Sequence, residues 1–217
     1  SYMTIRMIQN DSIQESMQIY LEQITREIDS DYYDMIGIVN QMSPNGLIGS
    51  VTESYLSVED NYDRYFEQKS LREELIKLGY VNTKLLGIAY YDPKEQKELI
   101  GNFNVRVLDP SYQTISKVVV GAENIIQAMH ASYLGIRETP VLSVMRRVSF
   151  GNKRVLDIYA EIEPDMSVSD RLNKEKWPYT YMEMDENGIV QYSNNPVIVK
   201  GQKLLSELPE KEGYAAI

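Results

Sequence analysis

The sequence predicts an α+β fold: one long N-terminal helix, an antiparallel sheet with flanking helices, and a smaller or truncated second module. Three observations predict it. Apolar residues recur at spacings of three and four along the N-terminal segment; further on, the period shortens to two in paired segments bounded by Gly, Asn and Asp; and the segments run helix, helix, hairpin, helix, hairpin. That order places helices on the faces of an antiparallel sheet.

The first helix is predicted over Thr4 to Met42, on a stripe of Ile13, Met17, Leu21, Ile24, Ile28, Tyr32, Met35, Val39 and Met42. At 1.5 Å per residue such a helix is about 57 Å long, more than a domain of this size needs, and it is expected to act as a spine. Ser43-Pro-Asn-Gly46 is a turn signal that ends it near Gln41. A second helical region is predicted from Thr52 to Leu78, closing at Gly79. Lys84–Tyr91 and Glu98–Val105 read as two strands joined by Asp92-Pro93-Lys94, and a helix is predicted over Ala122 to Leu134. Val141–Phe150 and Arg154–Ile162 form a hairpin, with Gly151 and Asn152 expected to supply its turn. Beyond Pro164 come a short helix over Ser167–Lys176, a hairpin of Tyr179–Met184 and Ile189–Ser193 around Asp185-Glu-Asn-Gly188, and a short helix over Leu204–Leu208. The predicted parts are 1–42, a spine helix; 43–166, a first complete module; and 167–217, the start of a second.

Composition narrows the function classes. The 217 residues carry 22 basic and 32 acidic side chains, a formal charge of −10 that repels phosphate backbones and anionic membrane surfaces, so nucleic acid is a poor partner. There is no cysteine and a single histidine, His130, which excludes disulfides, thiolate chemistry and histidine-rich metal sites. No metal, cofactor or catalytic residue is expected: no phosphate-binding glycine loop, GxSxG, HExxH or dinucleotide glycine pattern occurs. No apolar run reaches the length of a bilayer crossing, and the chain opens on Ser1 rather than Met. It is therefore expected to be a segment of a longer protein. Seventeen tyrosines against three phenylalanines suit half-buried polar pockets, but the abundance of Ile, Asn and Lys favours a codon bias toward A·T as their source.

The succession of a long helix, a strand pair opening with Leu85 to Asp92, a helix, the pair VLSVMRRVSF…KRVLDIYAEI and the unit MDENGIVQYS resembles the double-Cache ectodomains, whose modules are PAS-like. The closest flavour is the YesM-like sensor histidine kinases of Gram-positive bacteria. The resemblance covers Met7 to about Leu208 and rests on order and style. It implies a non-catalytic ligand-sensing domain on the extracellular face of the bacterial membrane, tethered by transmembrane helices outside this sequence. Its output would be that of a two-component sensor histidine kinase; the alternatives are a solute-binding protein or a chemoreceptor ectodomain. Two departures matter. A PAS-like module has about five strands, and the portion after Ser169 offers two. The spaced Tyr, Arg, Trp, Tyr and Asp of amino-acid-binding members does not map here, so no amino-acid ligand is carried over.

The ligand candidates are Tyr91 in the first strand, Arg146 and Arg147 in one strand of the central hairpin, Asp157 and Tyr159 in its partner, and Tyr133. Alternation sends Arg146 and Arg147 to opposite faces, so one of them can reach the pocket side. A guanidinium, a carboxylate and phenols over a sheet suit a small polar ligand such as a sugar, carboxylate or amine. The competing reading is an exposed cross-strand ion pair of Arg146 or Arg147 with Asp157 or Glu161. A protein partner is a further alternative to the small molecule. His130 has two readings, a ligand contact or pH switch and a partly buried helix residue. Glu183, Asp185, Glu186 and Asn187 read as a turn, since calcium-loop spacing is absent. Glu161 and Glu163 lack the opposed geometry of a glycosidase pair. The first half of the long helix could meet its twin in a parallel homodimer.

Overall fold

The computed structural model describes residues 2–102, 123–134, 140–151, 153–164, 180–185 and 187–203, with side chains from Glu15 onward. Its elements are α1 (Tyr2–Met42), α2 (Leu47–Ser57), α3 (Asn61–Val81), β1 (Leu85–Asp92), β2 (Lys97–Gly101), β3 (Ile125–His130), β4 (Val141–Ser149), β5 (Val155–Ile162), β6 (Met182–Met184) and β7 (Val190–Ser193). The chain divides into two compact units, Asp31–Pro164 and the pair of segments Ser1–Ser30 and Asp165–Ile217. Among the described residues no helix is long and apolar enough to cross a membrane.

In Asp31–Pro164, five antiparallel strands run in the order β2-β1-β5-β4-β3, so the hairpin strand β5 is central and β2 and β3 are the edges. Residues opposite one another in an antiparallel pair share a face. One face carries Ile88, Tyr90, Val144, Val148, Leu156, Ile158 and Ala160, all at most 6% exposed. Helices cover it. The Tyr90 hydroxyl donates to the Met42 carbonyl at 2.5 Å and its ring meets Phe150 edge-on at 6.0 Å, which sets the end of α1 against the sheet. Met35, Val39 and Met42 of α1 and Leu71 and Leu75 of α3 are fully buried, each contributing on the order of 2 kcal/mol. One charge breaks the apolar stripe: Asp31 is buried and accepts from Lys84 at 2.7 Å.

Two expectations need correction. The predicted helix over Ala122 to Leu134 is, in its described part, the strand β3 followed by a turn. Ala, Gln and Met favour a helix, but β4 presents an open edge whose N–H and C=O groups require partners, and Ile125 and Ile126 suit a pleat; tertiary pairing outweighs local propensity. The second helical region is two helices, broken at Val58–Asp60, where the Asp60 carboxylate accepts from Tyr62 N at 2.8 Å and Asp63 N at 3.3 Å as an N-cap. The β4–β5 turn falls where expected: the Lys153 N–H donates to the Phe150 carbonyl at 2.8 Å, and Lys153 adopts φ 61°. The predicted helices Ser167–Lys176 and Leu204–Leu208, the extension of β2 to Val105, and Asn152 lie outside the described residues.

In the other unit, β6 and β7 form a two-stranded sheet. Its turn is closed by the Asp185 carboxylate, which accepts from Asn187 N and Ile189 N, while Gly188 supplies φ 72°. Val190 is fully buried and its N–H donates to the Gln202 carbonyl. A cavity of about 660 Å³ lies between Gln18–Asp29 of α1 and Tyr181–Met184.

Candidate functional site

The second face of the five-stranded sheet carries the polar side chains, and the register arranges them in three rows. Across β1, β5 and β4 run Tyr91, Asp157 and Arg147. The next row, through β3, is Ala89, Tyr159, Met145 and Ile125; the third is Gly87, Glu161, Ser143 and Gln127.

In the first row the Arg147 guanidinium grips Asp157 with two parallel bonds, Nε to Oδ1 at 2.7 Å and Nη2 to Oδ2 at 3.0 Å. The carboxylate is wholly buried and the arginine side chain 24% exposed, so this is a partly buried fork rather than an exposed surface pair. Burial, with Asp157 and Asp92 nearby, pushes the Tyr91 hydroxyl above the usual phenol range.

The third row holds down a roof. Glu161 is fully buried and accepts from Ser132 Oγ, the Tyr133 N–H and the Tyr159 hydroxyl, each at 2.6 Å. Burial raises its pKa in spite of these donors, and burial together with the Glu161 charge raises Tyr159 well above the phenol range. Drawn onto the sheet in this way, Tyr133 and Leu134 pack with Tyr91, Met145 and Tyr159 as one buried cluster, with Ile125 against it. The Tyr133 hydroxyl donates to Gln127 Oε1 at 3.1 Å. His130 stacks on Tyr133 at 4.1 Å between ring centres and 18° between planes. Its Nδ1 lies 2.6 Å from the Ala131 carbonyl, which only accepts, so Nδ1 carries a proton; Nε2, 2.6 Å from Ser143 Oγ, accepts in the neutral ring.

Of the six residues predicted from sequence, Tyr91, Tyr133, Arg147, Asp157 and Tyr159 come together on this face. Arg146 does not. It lies opposite Ile158 on the helix-covered face, donating from Nε to Asn124 Oδ1 at 2.8 Å and from Nη1 to Asn40 Oδ1 at 2.8 Å and Ser43 Oγ at 3.1 Å. Burial holds its pKa below the usual arginine range. His130 sits on a strand beside the roof, not on a helix. Sequence reasoning missed Gln127, Ser132, Ser143 and the anchoring role of Glu161. The alternation Ile125, Gln127, Met129 was the available signal for the first.

No known protein family's profile matches the sequence, and no curated protein matches it. Solved structures do match in fold. The sensor domain of the histidine kinase DctB of V. cholerae superposes with a TM-score of 0.56 at 12% identity, covering 88% of this chain and 70% of that one. The extracellular domain of rpHK1S-Z16 gives 0.51 at 15% identity over 92% of this chain and 76% of that one. The ligand binding domain of Mlp24, solved with asparagine, gives 0.54 at 13% identity over 94% and 80%. The long helix and antiparallel sheet of this chain thus have the fold shared by these sensor and ligand-binding domains.

Proposed function

We propose that this chain is the ligand-sensing domain of a bacterial membrane receptor, a two-component sensor histidine kinase of the YesM-like, double-Cache kind, lying on the extracellular face of the membrane. It binds rather than transforms its ligand. The observation that carries the reading is the convergence of Tyr91, Arg147, Asp157 and Tyr159 on one sheet face, with Tyr133 of the segment Ala131–Leu134 packed over Tyr91 and Tyr159. Donors, a carboxylate and aromatic rings on rigid strands suit a small polar molecule such as a sugar, carboxylate or amine. The fold shared with the DctB sensor domain and the Mlp24 ligand binding domain supports the same reading.

In this proposal 43–166 is the ligand-holding module, 1–42 the spine and 167–217 the start of a membrane-proximal module. Two contacts tie the site's strands to α1: the Tyr32 hydroxyl donates to the Gln127 carbonyl of β3, and Arg146, next to Arg147 on β4, holds Asn40 and Ser43. A ligand that favours one arrangement of these strands shifts the population of α1 positions by its differential affinity. Exposed Ile19 and Tyr20 on the first half of α1 suit a parallel homodimer in the full-length receptor.

The test is a thermal-shift screen of the purified domain against sugars, amino acids, carboxylates, amines and divalent metals. Ligand at 100 times its Kd adds about 2.7 kcal/mol, or about 5–11 °C for a chain of this size. The shift is expected to vanish in Arg147→Lys, which keeps the charge but loses the fork, and to persist in Arg146→Lys on the other face. Equal loss in both variants contradicts the assignment of the face.

A further inference from the structure

Gln127 stands at the end of the third row, on the edge strand, and its side chain is held at one end only. The Tyr133 hydroxyl donates to Oε1 at 3.1 Å. Nε2 is buried and has no hydrogen-bond partner among the described residues. Buried donors without an acceptor are rare in native proteins and destabilising. Along its own row, Ser143 Oγ donates to His130 Nε2 and the Glu161 oxygens accept from Ser132, Tyr133 and Tyr159, and none of these groups bonds Nε2. The backbone of Gln127 is held as well, because its carbonyl accepts from Tyr32 of α1. A buried amide nitrogen without an acceptor, on the same sheet face as Tyr159 and Glu161, is a donor held in place for an incoming oxygen.

We propose that Gln127 reads an oxygen acceptor of the ligand, its amide NH₂ donating to a carboxylate, carbonyl or hydroxyl oxygen. This rests on the sensor reading above and narrows its ligand class to carboxylates and sugars. An ammonium group would set donor against donor at this position and is disfavoured.

The experiment measures thermal shift and calorimetric affinity for a panel of carboxylates, sugars and amines headed by succinate, glucose and putrescine. It compares the wild-type domain with Gln127→Met and Gln127→Glu. Met keeps the length and removes both donors; Glu keeps the acceptor for Tyr133 and replaces the donors with an acceptor, so at least one variant retains each structural feature. A carboxylate or sugar is expected to bind the wild type and to bind both variants about 10-fold or more weakly, the effect of one lost buried hydrogen bond. Equal binding to all three proteins overturns the role of Gln127 and leaves the sensor reading standing. Binding of amines alone overturns the ligand class and likewise leaves the sensor reading standing. No binding of any panel member counts against both.

Discussion

The buried fork between Arg147 and Asp157 sets a stability test whose size follows from its geometry. Asp157 is fully buried and receives both guanidinium bonds, while a quarter of the Arg147 side chain meets solvent. Arg147→Met removes the cation and leaves a buried carboxylate without it. Breaking a buried pair from one side costs about 3–5 kcal/mol, and the solvent-exposed part of Arg147 puts the expected loss near the lower end, about 3 kcal/mol. That corresponds to about 6–12 °C in Tm for a chain of this length. Replacing both partners, as in Arg147→Met with Asp157→Leu, removes the stranded charge as well. The double variant is expected within about 1 kcal/mol of the wild type. Urea unfolding followed by far-ultraviolet circular dichroism, with a common m value, measures all four corners of the cycle. A loss below about 1 kcal/mol for Arg147→Met, or a double variant no better than the single one, refutes the argument.

Further expectations concern the parts that hold the site in place. Burial pushes the Glu98 carboxyl up to about 7 from its ordinary 4.5, against the pull of Arg72. Between those pH values the folded chain keeps a proton that the unfolded chain has lost, so stability is greatest below about 4.5 and falls as pH rises through 7. The penalty is at most about 3 kcal/mol and about 1–2 kcal/mol after solvent screening; Glu98→Gln should flatten that part of a stability-against-pH curve. Tyr90→Phe removes the bond to the Met42 carbonyl and should cost about 1 kcal/mol in urea unfolding while leaving ligand affinity unchanged, since Tyr90 lies on the helix-covered face. Asp60→Ala removes the α3 N-cap and should cost about 1 kcal/mol, restored in large part by Asp60→Asn.

The parts legible in the sequence were those decided by local pattern. The α1 stripe survives as buried Ile24, Ile28, Met35, Val39 and Met42, and the β4–β5 hairpin pairs along its whole length from Leu142–Ile162 to Ser149–Val155. Alternation along those strands also separated Arg147 from Arg146 and placed Asp157 and Tyr159 together. What stayed illegible depended on partners far along the chain. Ile125–His130 has helix-compatible composition, and only the open edge of β4 makes it a strand. Reading it as a helix hid Gln127 and the roof, because the helical period would send Gln127, His130 and Tyr133 to positions unrelated to Ser143 and Glu161. Asp31 is buried because Lys84, on a distant segment, reaches it. The break before α3, by contrast, had a local signal in Asp60 ahead of Asp63, the pattern of a helix N-terminus.

The most direct test of the central claim is a titration of the isotope-labelled domain with the strongest carboxylate or sugar from the panel, followed by amide chemical shifts. The account predicts that the largest changes fall on Tyr91, Gln127, Tyr133, Arg147, Asp157 and Tyr159, with smaller ones at Tyr32 and Asn40, where α1 touches the site's strands. Changes confined to β6, β7 and the Gln18–Asp29 segment, with that sheet face silent, contradict it.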